Sequence, residues 1–284
     1  MPHSLPVKQI LPLFLLITLL NCFVSCKTNK ETPTEAYTEM DTTSIDTTET
    51  DAIEETLEVT PPKKADEFFD DFLYAFMKQK RFQRNRISFP LRHFLDGEEH
   101  LITRRAWGYD PMFSKRETYT LIFDSRKGMK LAKDTSICHV IVEELNLAEQ
   151  RVKCYHFDRE QAEWRLTQLV EDEMQQSENS GFYTFYQQFA ANKEFRRSHI
   201  TSPLAFSTID EDTFDPIDGV ITPEQWEDFG PQLPTTQITN ILYGQTYLNS
   251  NVRLLTLSSI SGGMNCTLTF KKQKGEWMLV KLEN

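Results

Sequence analysis

An internal duplication constrains this chain more than any other feature. Phe72, Phe76, Lys80, Phe82, Arg84, Ile87, Pro90 and Leu91 return 113 residues later as Phe185, Phe189, Lys193, Phe195, Arg197, Ile200, Pro203 and Leu204. Eight identities in twenty ungapped positions, where about one arises by chance, mark a repeated structural unit. Ile102-Thr103 with Trp107 matches Ile221-Thr222 with Trp226 at an offset of 119. The offset is 113 again where Phe157, Glu163, Trp164, Leu166 and Leu169 meet Phe270, Glu276, Trp277, Leu279 and Leu282. The fold is therefore one plan executed twice, in units of single-domain size: residues 63–176 and 177–284, with a linker near 171–180.

Each repeat opens on an apolar stripe at helical spacing: Phe68, Phe69, Phe72, Leu73, Phe76 and Met77, then Phe182, Tyr183, Phe185, Tyr186, Phe189 and Ala190. Asp66 stands where an N-cap is expected. After an irregular middle rich in Pro and charge, residues 119–123, 137–145, 151–157 and 164–170 carry β-branched and aromatic residues at period two. The short turn at 146–150 makes its neighbours antiparallel. Helices followed by strands predict an α+β fold, a long N-terminal helix packed on a curved antiparallel sheet in each repeat.

Residues 1–25 are laid out as a secretory signal: Lys8, an apolar run over 10–20 too short for a comfortable membrane span, and Ser25 before Cys26. Phe23-Val24-Ser25-Cys26 resembles a bacterial lipobox, which implies acylation at Cys26 and a protein anchored to the membrane without crossing it. From 26 to 62 the chain reads as a disordered tether, since residues 27–62 hold eleven Thr, ten acids and one aromatic and bury too little to offset the entropy of ordering. Asp41-Thr42-Thr43 and Asp46-Thr47-Thr48 resemble sequons for O-glycosylation at Thr42 and Thr47, and the tether's composition also produces such triplets unaided.

The net charge of −11 belongs mostly to that tether; from Lys63 onward 28 Lys and Arg face 32 Asp and Glu. A nearly neutral body argues against nucleic acid as a partner. No His or Cys spacing fits a metal, and neither a nucleophile elbow nor a phosphate-cradling glycine loop is present, so no catalytic residue, metal or cofactor is assigned. Cys138, Cys154 and Cys266 are read as small buried hydrophobes. Lys78, Lys80, Arg81, Arg84 and Arg86 are partly repeated as Lys193, Arg196 and Arg197. Such cations either hold an anion, such as a phosphate or uronic acid, or answer a helix dipole and cover aromatic surface. Trp107 and Trp226 either line a pocket mouth or plug the core. Arg84, Trp107, Arg197 and Trp226 are the candidate ligand positions.

The Phe-rich opening helix and the closing hairpin from Phe270 through Trp277 resemble the nuclear transport factor 2-like, or cystatin-like, superfamily. Residues 65–284 more narrowly resemble a Bacteroidota lipoprotein family, domain of unknown function 4348. The resemblance implies tandem cone-like domains with curled sheets around a conical cavity, paired through their sheets as a pseudo-dimer within a monomer. It brings no catalytic residues. The expected role is a non-catalytic binding module on the cell envelope, at the outer membrane, with an envelope glycan, peptidoglycan or protein as partner. The alternative is a hydrolase or isomerase using an Asp or His inside a cone.

Overall fold

The computed structural model describes residues 66–210, 212–260 and 265–284, which fall in one compact unit. Cys26, Thr42 and Thr47 lie outside the described residues. In the first repeat the apolar stripe forms α1 (Phe69–Lys78) and α2 (Lys80–Asn85) rather than one long helix. Gln79 between them is extended, at φ −117° and ψ 103°, and the break turns Phe82 and Gln83 back onto the core that Phe72 and Phe76 occupy. Asn192 likewise parts α3 (Ser180–Ala191) from α4 (Lys193–Ser198), its side chain accepting from the Phe195 amide at 3.0 Å. Asp66 is not the N-cap of α1. Its carboxylate takes two hydrogen bonds from Arg86, at 2.7 and 2.8 Å, and one from the Trp164 amide at 3.0 Å.

The first repeat continues with β1 (Ile87–Leu95), β2 (Glu98–Ile102), β3 (Thr118–Phe123), β4 (His139–Asn146), β5 (Arg151–Glu160) and β6 (Glu163–Glu173). The second has β7 (Ile200–Ile209), β8 (Pro216–Ile221), a turn of helix α5 (Trp226–Phe229), β9 (Gln237–Leu242), β10 (Val252–Ser259), β11 (Asn265–Gln273) and β12 (Glu276–Glu283). The α+β class is as expected, but the sheets are mixed. β1 runs parallel to β6 and β7 parallel to β12, because each strand that follows the helices pairs with the last strand of its own repeat. The intervening chain easily spans the crossover that parallel pairing needs.

The sheets also cross the repeat boundary. Their strand orders are β2-β1-β6-β5-β4-β9 and β3-β10-β11-β12-β7-β8. Thus β9 of the second repeat completes the first sheet, and β3 of the first repeat completes the second. The exchanged strands meet at Thr120 and Thr239, equivalent positions 119 apart. Each amide donates to the other's hydroxyl at 2.9 Å, and each hydroxyl to the other's carbonyl at 2.6 and 2.8 Å. This reciprocal set marks a local two-fold relation between the repeats.

Equivalent turns differ in one instructive way. The β11–β12 turn places Lys274 and Gly275 at φ 51° and 94°, whereas the β5–β6 turn places Gln161 and Ala162 at 50° and 66°. A Cβ in the left-handed region is costly and glycine avoids that cost. Ala162→Gly is therefore expected to raise stability by about 0.5–1 kcal/mol, read as a higher denaturant midpoint at unchanged slope. Among the cysteines, Cys266 is buried and Cys154 half-buried, opposite Glu143, but Cys138 is exposed in the turn before β4, contrary to its reading as core. All three are free.

Candidate functional site

The interior of each cone is filled with aromatic rings. Phe69, Phe72, Phe76, Phe157 and Trp164 pack at centroid distances of 5.0–6.4 Å. Their equivalents Phe182, Phe185, Phe189, Phe270 and Trp277 do the same in the second repeat. Tilted and edge-on rings at these distances form a packed core. Open sites must therefore lie elsewhere.

The basic cluster is split by its surroundings. Arg86 is spent on Asp66, and Lys78 donates to the Ser114 carbonyl at 3.2 Å. Lys80, Arg81 and Arg84 line a hollow of about 290 Å³ whose other walls are Trp107 and Tyr109. Buried Gln83 builds this hollow. Its amide nitrogen donates to the carbonyls of Phe76 (3.1 Å) and Asp110 (2.6 Å), and its oxygen accepts from the Trp107 indole (3.2 Å) and the Asp110 amide (3.0 Å). The Asp110 carboxylate in turn accepts from Lys153 at 2.9 Å, Tyr155 at 2.8 Å and the Met112 amide at 2.8 Å. Burial pushes the Asp110 carboxyl up, but the Lys153 charge and these donors outweigh it and hold its pKa below the usual value. The loop carrying Trp107 and Tyr109 is thus pinned at both ends, and half-buried Trp107 shares the wall of the hollow with the cations. Arg84 donates to the Arg104 carbonyl at 3.2 Å, and neither it nor Lys80 meets an acid among the described residues.

The equivalent place in the second repeat is smaller, and its cations are paired with acids. Lys193, Arg196, Arg197 and Trp226 surround only about 120 Å³, together with Glu224 and Glu227. Arg197 pairs with Glu224, while Lys193 and Arg196 approach Glu227 at 3.4 and 3.8 Å. Trp226 is only 5% exposed, edge-on to Phe189. Gly230 makes this possible, since a Cβ there would lie 2.3 Å from the indole. Of the four candidate positions, Arg84 and Trp107 share an open basic hollow. Arg197 sits in an ion pair and Trp226 in the core.

Three carboxyls that sequence does not single out, Glu143, Glu144 and Asp70, have pKa values raised chiefly by burial. Glu143, 4% exposed, accepts from Tyr183 at 2.6 Å and Asn240 at 2.8 Å; burial, and then the charge of Glu178, push it up against those donors. Asp70 is pushed up by burial of its carboxyl, with Tyr243 donating at 2.6 Å and pulling the other way. On the face of the first sheet, burial and the neighbouring His139 push His156 down to about 4, and His139 meets Asp158 at 2.7 Å. No group of three His, Cys, Asp or Glu among the described residues is arranged to hold a metal ion.

Residues 49–284 match DUF4348, a domain of unknown function. The chain is also similar to a crystal structure of an NTF2-like protein from Bacteroides fragilis NCTC 9343, with 35% identity and a TM-score of 0.72 over 78% of this chain and 96% of that one. No curated protein matches the chain.

Proposed function

We propose that this chain, which belongs to the DUF4348 family, is a lipid-tethered, non-catalytic binding module of the cell envelope whose first repeat takes a small anionic ligand. One observation carries the reading. The duplicated basic cluster is paired with Glu224 and Glu227 in the second repeat, yet shares its hollow with Trp107 and Tyr109 without an acid at Lys80 or Arg84 in the first. Cations beside a half-buried indole suit a carboxylate or phosphate on a sugar ring, the charge held by the cations and the ring laid against the aromatic. The aromatic filling of both cones weighs for binding over catalysis in a cone. The lipobox-like 23–26 segment and the acidic tether support an envelope location, in which tethering raises the effective concentration of the module for envelope glycans or peptidoglycan.

Two tests follow. Cys26→Ala is expected to move the protein from the membrane fraction to the soluble periplasmic fraction, and retention in the membrane would refute the anchor. In calorimetric titrations with glucuronate, muramyl peptides and inorganic phosphate, at least one anion is expected to bind. Arg84→Ala or Trp107→Ala should then weaken it about tenfold or more, while Arg197→Ala leaves it unchanged. Binding unaffected by either first-repeat substitution would remove the hollow from the account.

A further inference from the structure

A second cavity, of about 310 Å³, opens where the exchanged strands pass α1, and its walls include Asp70, Tyr74, Met77, Leu121, Tyr243 and Ile260. The duplication supplies its control. The repeat offsets and the strand registers place Tyr183, Gln187, Asn240 and Leu147 beside the second core where Asp70, Tyr74, Leu121 and Ile260 stand beside the first. There the space is sealed. Tyr183, Asn240 and Leu147 are fully buried, Tyr183 and Asn240 both donate to Glu143, and Gln187 closes over the Leu147 carbonyl at 2.6 Å. Beside the first core the same positions carry a 62% exposed Tyr74, an apolar Leu121 and a half-buried Ile260, and the space stays open.

The charge of this cavity is one-sided where Asp70 stands. Tyr243 fixes one carboxylate oxygen at 2.6 Å, and the other oxygen accepts no hydrogen bond among the described residues. Lys78 lies on the same helix eight residues on, about 12 Å along its axis, and its ammonium is engaged by the Ser114 carbonyl. Asp71 adds negative charge near Asp70. Tyr74 and Tyr119 also line the wall, and aromatic rings attract a cation placed over their faces.

We propose that this cavity is a small-molecule site, separate from the basic hollow, for an apolar ligand bearing one ammonium group. The ammonium pairs with Asp70, and the apolar body lies against Met77, Leu121 and Ile260. The size suits a body of about a dozen heavy atoms.

The test is ligand-observed NMR and calorimetric titration of the full chain with 4-tert-butylbenzylamine, 4-tert-butylbenzyl alcohol and 4-tert-butylbenzoate. The amine should bind at least tenfold more tightly than the alcohol, and the benzoate most weakly. Asp70→Asn, which keeps an acceptor for Tyr243, should erase the preference for the amine while leaving the alcohol's affinity unchanged. Ile260→Trp should fill the cavity and abolish binding of both. Absence of amine binding at millimolar concentration overturns the proposal, as does a preference for the amine that survives Asp70→Asn.

Discussion

Produced separately, residues 63–176 and 177–284 should each fail to melt cooperatively as a monomer, and mixing them should restore the native spectrum. Division leaves the first sheet without β9 and the second without β3, exposing the β4 and β10 edges. It also uncovers Ile122, Leu147, Ile241 and Leu254, each packed in the other repeat's core and at most 4% exposed in the whole body. Ile122 belongs to the core of the second repeat and Ile241 to that of the first. Burying each such side chain is worth about 1.5–3 kcal/mol, so four of them approach the whole margin of about 5–15 kcal/mol that holds a domain together. Folding β3 back onto β4 of its own repeat would not repair the loss. It would set Leu121 against buried Glu143 in place of Asn240 and remove a hydrogen-bond donor from that carboxyl. Circular dichroism melts of each half and of the equimolar mixture check this; a cooperative monomeric melt of either half counts against it.

The polar group at the exchange is the second point of large effect. Asn240 donates to Glu143 at 2.8 Å and to the Tyr247 hydroxyl at 3.0 Å, and its own oxygen accepts from the Ile122 amide at 2.9 Å. Asn240→Leu should cost about 2–4 kcal/mol, because it strands a buried carboxyl and a backbone amide together. The cost should depend on pH with a definite sign. Burial raises the folded-state pKa of Glu143, so the folded protein binds this proton more tightly than the unfolded chain. The resulting stabilisation is fully present below the unfolded carboxylate pKa and is lost as pH rises through the folded one. Removing the Asn240 donor pushes that pKa further up, so the destabilisation should be larger at pH 8 than at pH 5. Glu143→Gln, which removes the charge, should flatten this dependence and be no less stable than wild type at pH 8. Urea melts at the two pH values decide it; an Asn240→Leu cost that is the same at both pH values would show that Glu143 does not titrate as described.

What could be read from sequence follows from what repeats. The apolar faces of both cones are written in aromatic positions that recur at a single offset, and the α+β class in the succession of a helical stripe and period-two runs; that these rings fill the conical cavity implied by the resemblance is seen only in their packing. The Asp96-Gly97 pair, at φ 49° and 83° in a two-residue turn between β1 and β2, was a hairpin signal inside a stretch expected to be irregular. Strand exchange had no such signal. Alternation in 119–123 and 237–242 says which side faces a core, but not whose sheet the strand joins. In the basic cluster, Arg84 and Arg86 look alike in sequence, and only the approach of Asp66 from 20 residues upstream separates the engaged cation from the open one. Trp107 and Trp226 are likewise equivalent in sequence, and they differ because Gly230, Glu224 and Glu227 close around the second. Asp70 read as an ordinary acid in the first turn of an amphipathic helix. Its cavity is assembled from α1 and from residues about 50 to 190 positions farther along the chain.

The central claim is that exchange of β3 and β9 makes the two repeats one cooperative body, and differential scanning calorimetry of the full chain tests it most directly. A single unfolding transition is expected, with equal calorimetric and van't Hoff enthalpies. Asn240→Leu should lower it as one peak. Two separable transitions, one for each repeat, with only one of them moved by Asn240→Leu, would contradict the claim.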